Sequence, residues 1–431
     1  MELLLGIGRE IITPEIGCNL YGYTPDTYSE TLHDDLTATA YAFTYGEQKA
    51  MLISITVGSL MTGHGAKLRK QIQERTGISA DHIILSATHT HTGPILESTE
   101  GWGSLDEPYY YNIFVPGVLK AAETAWKNRE PVTMGWAVDT SYVGINRREL
   151  RINNKIALGQ NKWGPFDPRM SILSFKNRAG KIVGNIISYG CHGTAAGRAT
   201  AISRDWSGLM TDGLEAHTGG ITAFFNDTIG DVGPRLSNGR TTGDMSYVEE
   251  LGKVAAADAI RIFEKIDTYE EVSVAACSDT LRIPVEPRMA YETAVQGYDP
   301  ELEKNAINLV RKKLSFLRRV IESYEAGYQE ISHKEISQVI IRVGRFAFTT
   351  FPYELFSVVG LRIKQEVQDL AVLTLSLANG SEGYFATQDQ VCRGGYEIDS
   401  FKTGSVQPYP DDADFALITE TLRNLENLKR S

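Results

Sequence analysis

The chain has 431 residues, 42% of them hydrophobic and 23% charged, with a formal net charge of −11. That length allows a sizeable core in one large or two ordinary domains, and the acidic balance excludes the basic footprint of a nucleic-acid partner or of an anionic membrane surface as partner. No run of about 18 apolar residues is present to cross a membrane, and the four scattered cysteines, Cys18, Cys191, Cys277 and Cys392, make neither a zinc ribbon nor a disulfide framework.

The opening, MELLLGIGREIITP, has an apolar run too short for a signal peptide and no basic stretch ahead of it. A reducing, cytoplasmic compartment is the expectation. LTATAYAFTYGEQKAMLISI then alternates as a hairpin does, with Gly46 at its turn. A helix follows and stops near Gly77. DHIILSATHTH is the next strand, and PYYYNIFVPGVLKAAETAWKN a helix interrupted or started at Pro116. MSILSFKNRAGKIVGNIISYGCHG repeats the hairpin pattern and turns at Ala179-Gly180. DWSGLMTDGLEAH reads as a helix, ITAFFNDTIGDVGP as a strand and loop, and MSYVEELGKVAAADAIRIFEKI as a long helix. From about Asp299 to Ala326 the residues Ile307, Val310, Leu314, Leu317, Ile321 and Tyr324 recur at helical steps and predict one apolar stripe, with the basic run RKKLSFLRR as a solvated opposite face. QVIIRVGRFAFTTFPYELF is a third hairpin, turning at Gly344 and leading into a helix near Glu354, and AVLTLSLA is a last strand. The fold class is α/β, with mixed layered sheets flanked by helices and a site at strand ends. The recurring hairpin-to-loop pattern is too weak in sequence to be called a repeat.

Four apolar strands end in residues that bind metals. They lead to His89 and His91, to His192, to Glu354 and to Tyr384. Strand ends that face one crevice are where α/β proteins place their sites. In an extended chain residues i and i+2 share a face, so His89 and His91 are expected to enter one pocket. Two imidazoles, a carboxylate and a phenolate suit zinc. The bland readings are a histidine that satisfies a loop, a glutamate that complements a helix N-terminus and a half-buried tyrosine. Spacing alone does not choose between them, since there is no HExxH motif. There is also no GxSxG elbow or P-loop. Asp205 in SRDWSG is a helix N-cap that could also orient a ligand.

SATHTHTGP resembles the ATHTHSGP signature of the neutral (non-lysosomal) ceramidases. In the same order, GIGREIITPEIG is similar to that family's opening strand, GINRR to NINRSP, CHGT to VHGT, NDTIGDVGPR to NxGDxSPR, FPYELF to the PGE loop, and GYFATQDQVCRGGYE to GYVTTPEEYxxQRYEG. The resemblance runs from residue 6 to about 397. It implies a zinc ion held by His89, His192, Glu354 and Tyr384, with His91 handling protons, Arg147 polarising a carbonyl and Tyr396 as a second active-site tyrosine. It implies hydrolysis of an amide in an N-acyl, ceramide-like substrate through zinc-activated water. A non-catalytic metal- or lipid-binding relative and a zinc esterase are the alternatives.

Three departures matter. The family's serine in GDxSP is Gly233, so no acyl-enzyme forms at this loop. The asparagine of NxGD is Thr228. The chain stops near residue 431, where the larger ceramidases continue into an immunoglobulin-like domain. A single catalytic domain over residues 1–431 is therefore expected, and neither a second metal site that depends on the missing domain nor the lipid specificity is carried over.

Overall fold

The structure, a computed structural model, describes residues 1–96, 98 and 102–430. Its frame is three copies of one topological unit. In each, an antiparallel hairpin is followed by a helix and then by a strand parallel to the hairpin's second arm. In the first, β2 (Thr37–Tyr45) and β3 (Gln48–Ile55) are followed by α1 (Thr62–Thr76) and β4 (Ile83–Ala87), which runs parallel to β3. In the second, β6 (Arg169–Asn177) and β7 (Ile182–Tyr189) lead to α3 (Trp206–Thr218) and to β8 (Ile221–Asn226), parallel to β7. In the third, β10 (His333–Val343) and β11 (Phe346–Thr350) lead to α6 (Ser357–Glu366) and to β12 (Ala371–Leu375), parallel to β11. The predicted turn glycines Gly46, Gly180 and Gly344 have φ of 58°, 80° and 60°, a left-handed conformation open to glycine.

The first two units join through β1 (Leu4–Ile11) and β5 (Glu130–Thr140) into an eight-stranded sheet of order β8-β7-β6-β5-β1-β2-β3-β4. The third unit adds β9 (Val274–Pro284) to make a four-stranded sheet, β9-β10-β11-β12. The two sheets stack through a shared apolar layer. Phe43, Phe175 and Phe225 come from one side, and Val339, Phe346 and Phe348 from the other. The Phe225 and Phe348 rings meet edge to face with centroids 5.9 Å apart. On the outer face of the large sheet α1 and α2 (Val115–Lys127) cover β2 to β4, and α3 and α4 (Met245–Phe263) cover β6 to β8. On the outer face of the small sheet lie α6 and α8 (Ala413–Arg430). The order is helix, sheet, sheet, helix, which is the layered α/β architecture that the sequence predicts. Among the described residues no helix is long and apolar enough to cross a membrane.

One sequence expectation changes, and the break expected near Pro116 is present. The helix over 299–326 is two helices, Pro300–Asn305 and α5 (Asn308–Glu325). Ile307 is extended at the break, and Asn308 has a φ of 52°. Ile307 and Val310 are exposed at 52% and 54%, so the inward stripe starts only at Leu314. Before α2, the chain makes a wide five-residue turn over Tyr110–Phe114. It sits just ahead of Pro116, whose missing N–H cannot close an ordinary helical bond.

Candidate metal centre

The parallel crossovers bring the C-terminal ends of their strands to one side, and loops from all three units meet there. Strand β4 ends at Ala87, two residues before His89. His89 itself has a φ of 64°, rare for a residue with a side chain. The pairing of His89 with His91 therefore does not come from strand alternation, as the sequence suggested, but from a left-handed turn. The turn is pinned on both flanks. His89 N–H donates to Val57 O at 2.9 Å and His91 N–H to Gly193 O at 3.0 Å.

Three imidazoles and a carboxylate converge. Nitrogens of His89, His91 and His192 lie within 4.8 Å of one another. Glu354 Oε2 is 2.9 Å from His192 Nε2 and 3.5 Å from His89 Nε2. His91 Nε2 is 3.3 Å from His89 Nε2. The far nitrogens fix the tautomers. His89 Nδ1 faces Gly58 O at 2.6 Å, and His192 Nδ1 faces Val232 O at 2.9 Å. A carbonyl only accepts, so both Nδ1 atoms carry protons and both Nε2 atoms face inward. Burial, with the charge of Arg147 beside it, pushes His192 down to about 3, so it stays neutral. The inward lone pair of neutral His192 faces the Glu354 carboxyl oxygen at 2.9 Å, a repulsion that a cation between them removes. Backbone carbonyls behind ligating imidazoles are the support metal sites use. The donor set thus fits a metal ion.

Asn226, at the end of β8, holds the two histidine loops together. Its Nδ2 donates to Thr88 O at 2.9 Å, and its Oδ1 accepts from Cys191 N–H at 3.2 Å. Each contact is one residue from a histidine of the cluster. Sequence reading missed this residue, and a polar side chain closing an apolar strand was the available signal. Asp205 works on the next loop. Its carboxylate accepts from the N–H groups of Ala195, Ala196 and Trp206. It is both the N-cap of α3 and a support for the segment after His192.

Burial raises the Asp205 carboxyl from its usual 3.8 to about 6. The folded chain therefore holds this proton to higher pH than the unfolded chain. The cost of burying the charge is absent below pH 3.8 and complete above pH 6. Relative to Asp205→Asn, the wild-type chain is expected to lose up to about 3 kcal/mol of stability between pH 4 and pH 7. Urea unfolding at several pH values measures it, and a difference that stays constant with pH would refute it.

Glu354 and Tyr384 sit side by side across two short parallel strands, Glu354–Leu355 and Tyr384–Phe385. Arg147 reaches them from the segment between β5 and β6. Its Nη2 donates to Tyr384 Oη at 2.8 Å and its Nε donates to Glu397 Oε1 at 2.9 Å. The same carboxylate takes Arg148 Nη1 at 2.6 Å through Oε2. Glu397, on α7 (Tyr396–Thr403), escaped the sequence reading because its partners lie 249 and 250 residues away. Burial opposes the Arg147 charge, but Tyr384 and Glu397 outweigh it and hold its pKa above the ordinary arginine value. Burial pushes Tyr384 well above 10, and Tyr396 up to about 12. The Tyr384 and Tyr396 rings lie 5.7 Å apart.

His91 is clamped between Tyr21 and Tyr23, with ring centroids 5.3 and 5.2 Å away. Gly22, between them, has a φ of 108°, and a Cβ there would lie 2.1 Å from His91 Nδ1. The chain can pass this close to the imidazole only as glycine. At Gly233 a Cβ would lie 2.7 Å from Thr241 Cβ, so the loop as packed has no room for a serine. Thr228 is buried, its N–H bonded to Asp227 Oδ1.

These residues open onto a cavity of about 440 Å³ whose wall includes His89, His91, Glu354, Tyr384 and Tyr396. Lys312 and Arg319 of α5 line it too. The basic run of that helix is therefore not simply a solvated face, as its sequence suggested.

The family model described as neutral/alkaline non-lysosomal ceramidase, N-terminal, matches residues 3–251. The neutral ceramidase of Pseudomonas aeruginosa is 23% identical over 309 residues, which is 65% of this chain and 45% of that protein. The chain thus spans about half the length of this curated relative. The crystal structure of neutral ceramidase from Pseudomonas aeruginosa superposes with a TM-score of 0.75 at 19% identity, over 99% of this chain and 75% of that one. A structure described as ceramidase complexed with C2 gives 0.73 at 17% identity, over 99% and 76%. The family match ends before Glu354, Tyr384 and Tyr396, and the likeness of fold carries on through them.

Proposed function

The chain belongs to the neutral/alkaline non-lysosomal ceramidase family, and from that premise we propose that it is a zinc-dependent hydrolase of an amide bond in an N-acyl substrate. One observation carries the reading. His89 Nε2, His192 Nε2 and Glu354 Oε2 converge while both Nδ1 atoms are committed to backbone carbonyls.

His89, His192 and Glu354 would hold the ion, with Tyr384 as fourth donor. When bound, zinc lowers the pKa of water to about 7 and polarises a carbonyl. Burial keeps the Tyr384 phenol protonated; the hydrogen bond and charge of Arg147 oppose that, and a cation in the site would favour the ionised, ligating oxygen. The same guanidinium supplies positive charge where a carbonyl becomes an oxyanion. Burial keeps Tyr396 protonated at neutral pH, which leaves it a proton to give to the leaving amine. His91, half-buried at the cavity wall, has its Nε2 beside His89. Burial, with His89 and His192 beside it, pushes its pKa well below the ordinary imidazole value, so it stays neutral and offers a nitrogen for hydrogen bonding or proton transfer beside the substrate. With glycine at 233 the reaction runs without an acyl-enzyme at that loop.

A panel of N-acyl amides and esters, assayed with and without chelator on wild type and His91→Ala, tests this reading. Amide turnover that chelation abolishes, that lacks an acyl burst and that falls in His91→Ala is expected. A trapped acyl-serine in the mass spectrum would overturn the mechanism. No turnover across the panel would favour a binding protein instead.

A further inference from the structure

The proposed reaction fixes the bond but not what flanks it, and the cavity wall bears on that. Its apolar surface comes from aromatic rings, Trp102, Tyr21, Tyr384 and Tyr396. No Leu, Ile, Val, Met or Phe lines it among the described residues, and the sequence from 97 to 101, ESTEG, contains no apolar side chain. The composition of α5 makes the point sharper. That helix carries Leu314, Phe316, Leu317 and Val320, all buried. Leu317 and Val320 pack on Ala294, away from the site. Toward the cavity it turns Lys312, Ser315 and Arg319, one face at spacings of three and four. Lys312 Nζ donates to Ser400 Oγ at 2.6 Å across the rim and stands 5.8 Å from the Trp102 ring. The facing wall holds Ser381, Glu382 and Gly383.

A long alkyl chain draws affinity from apolar walls, at about fourfold per buried methylene. Here it would strip water from hydroxyls and charged groups without replacing their hydrogen bonds. The volume, about 440 Å³, is that of a small-molecule site. We infer that this site takes a compact, polar N-acyl compound, with a short acyl chain on an amine rich in hydroxyl or carboxylate groups, and not a long-chain lipid. Aromatic rings with hydrogen-bonding groups beside them suit such a ligand, since rings cover its C–H faces while Ser315 meets its polar edges, beside the charges of Lys312, bonded to Ser400, and Arg319, bonded to the Thr403 and Gly404 carbonyls.

The inference rests on the proposed hydrolysis, and the test separates the two. N-acetyl-, N-hexanoyl- and N-dodecanoyl-glucosamine vary the acyl chain on one hydrophilic amine, and N-acetylhexylamine varies the amine. The expected result is a kcat/KM that stays level or falls with acyl length, and at least a tenfold preference for N-acetylglucosamine over N-acetylhexylamine. Ser315→Leu and Lys312→Leu should each move the preference toward the dodecanoyl compound. A kcat/KM that climbs about fourfold per methylene in wild type, or that favours the hexylamine, overturns the inference while leaving the hydrolase in place. If no compound is hydrolysed, the hydrolase reading falls. Calorimetric binding of the same four compounds to the zinc-loaded chain then decides the inference, which tighter binding of the dodecanoyl than of the acetyl compound would overturn.

Discussion

Protein purified without added metal is expected to carry about one zinc per chain, and His89→Ala or Glu354→Gln to carry none. Glu354→Gln leaves both carbonyl-anchored rings in place and His89→Ala leaves one, but each breaks the tetrahedral set that zinc prefers. Glu354→Gln is the more telling change. It keeps the volume of a side chain that is 7% exposed and removes only the negative charge. The loss of the Lewis acid should lower kcat/KM by about 10³ or more, the scale of several kcal/mol that a metal contributes. Elemental analysis reads the first effect and steady-state kinetics the second. Wild-type protein without zinc, or His89→Ala with an undiminished metal content, would remove the basis for a metal centre.

The second large effect is on stability. Glu397 is 1% exposed and neutralises two buried guanidiniums at once, through Oε1 to Arg147 and Oε2 to Arg148. Removing one partner of a buried ion pair leaves an uncompensated charge in a medium that solvates it poorly. Glu397→Ala should cost about 3–5 kcal/mol, measured as a shift of the urea midpoint at unchanged slope. Glu397→Gln keeps one hydrogen bond and should cost less. The change should also weaken the site, because Arg147 would lose the anchor that holds it against Tyr384. A cost below about 1 kcal/mol in Glu397→Ala would mean that water or a rearranged partner already compensates the two arginines.

Periodicity and turn chemistry made the hairpins and most helices legible, because Gly46, Gly180 and Gly344 sit between alternating runs and need the left-handed conformation they adopt. The strand Val274–Pro284 was not legible. Its outer half has Ser278, Asp279 and Thr280 where a buried strand would show apolar residues, and it gains its place by pairing with β10 over eleven residues. Helix α8 was missed too, although Leu417, Leu425 and Leu428 are buried on one face of it. Thr421 and Asn424 are buried on that face as well and interrupt the apolar pattern. Of the site, the strand-end histidines and Glu354 could be read because each follows an apolar run. Of the supports, Asp205 was legible as the N-cap of α3. Asn226 and Glu397 were not, because they act through contacts to backbone or to charges far off in sequence, which no spacing encodes.

The division of the donors between the two sheets constrains how the protein reaches its active form. The eight-stranded sheet is complete by Asn226 and the helix packed on it by Phe263, while the four-stranded sheet begins at Val274. The exposed stretch around Asp267 to Glu271 joins them. During synthesis the first sheet, with all three imidazoles, therefore leaves the ribosome well before the carboxylate that completes the set. On the proposed reading, a nascent chain at that stage presents its imidazoles without the carboxylate, a set that does not yet select among metals by geometry. Closure of the second sheet over the first is then the step that both buries the Phe225–Phe348 contact and, on that reading, brings Glu354 to complete the donor set. The rate of metal acquisition should accordingly follow the docking of the two sheets, a slow event because its contacts join distant parts of the chain.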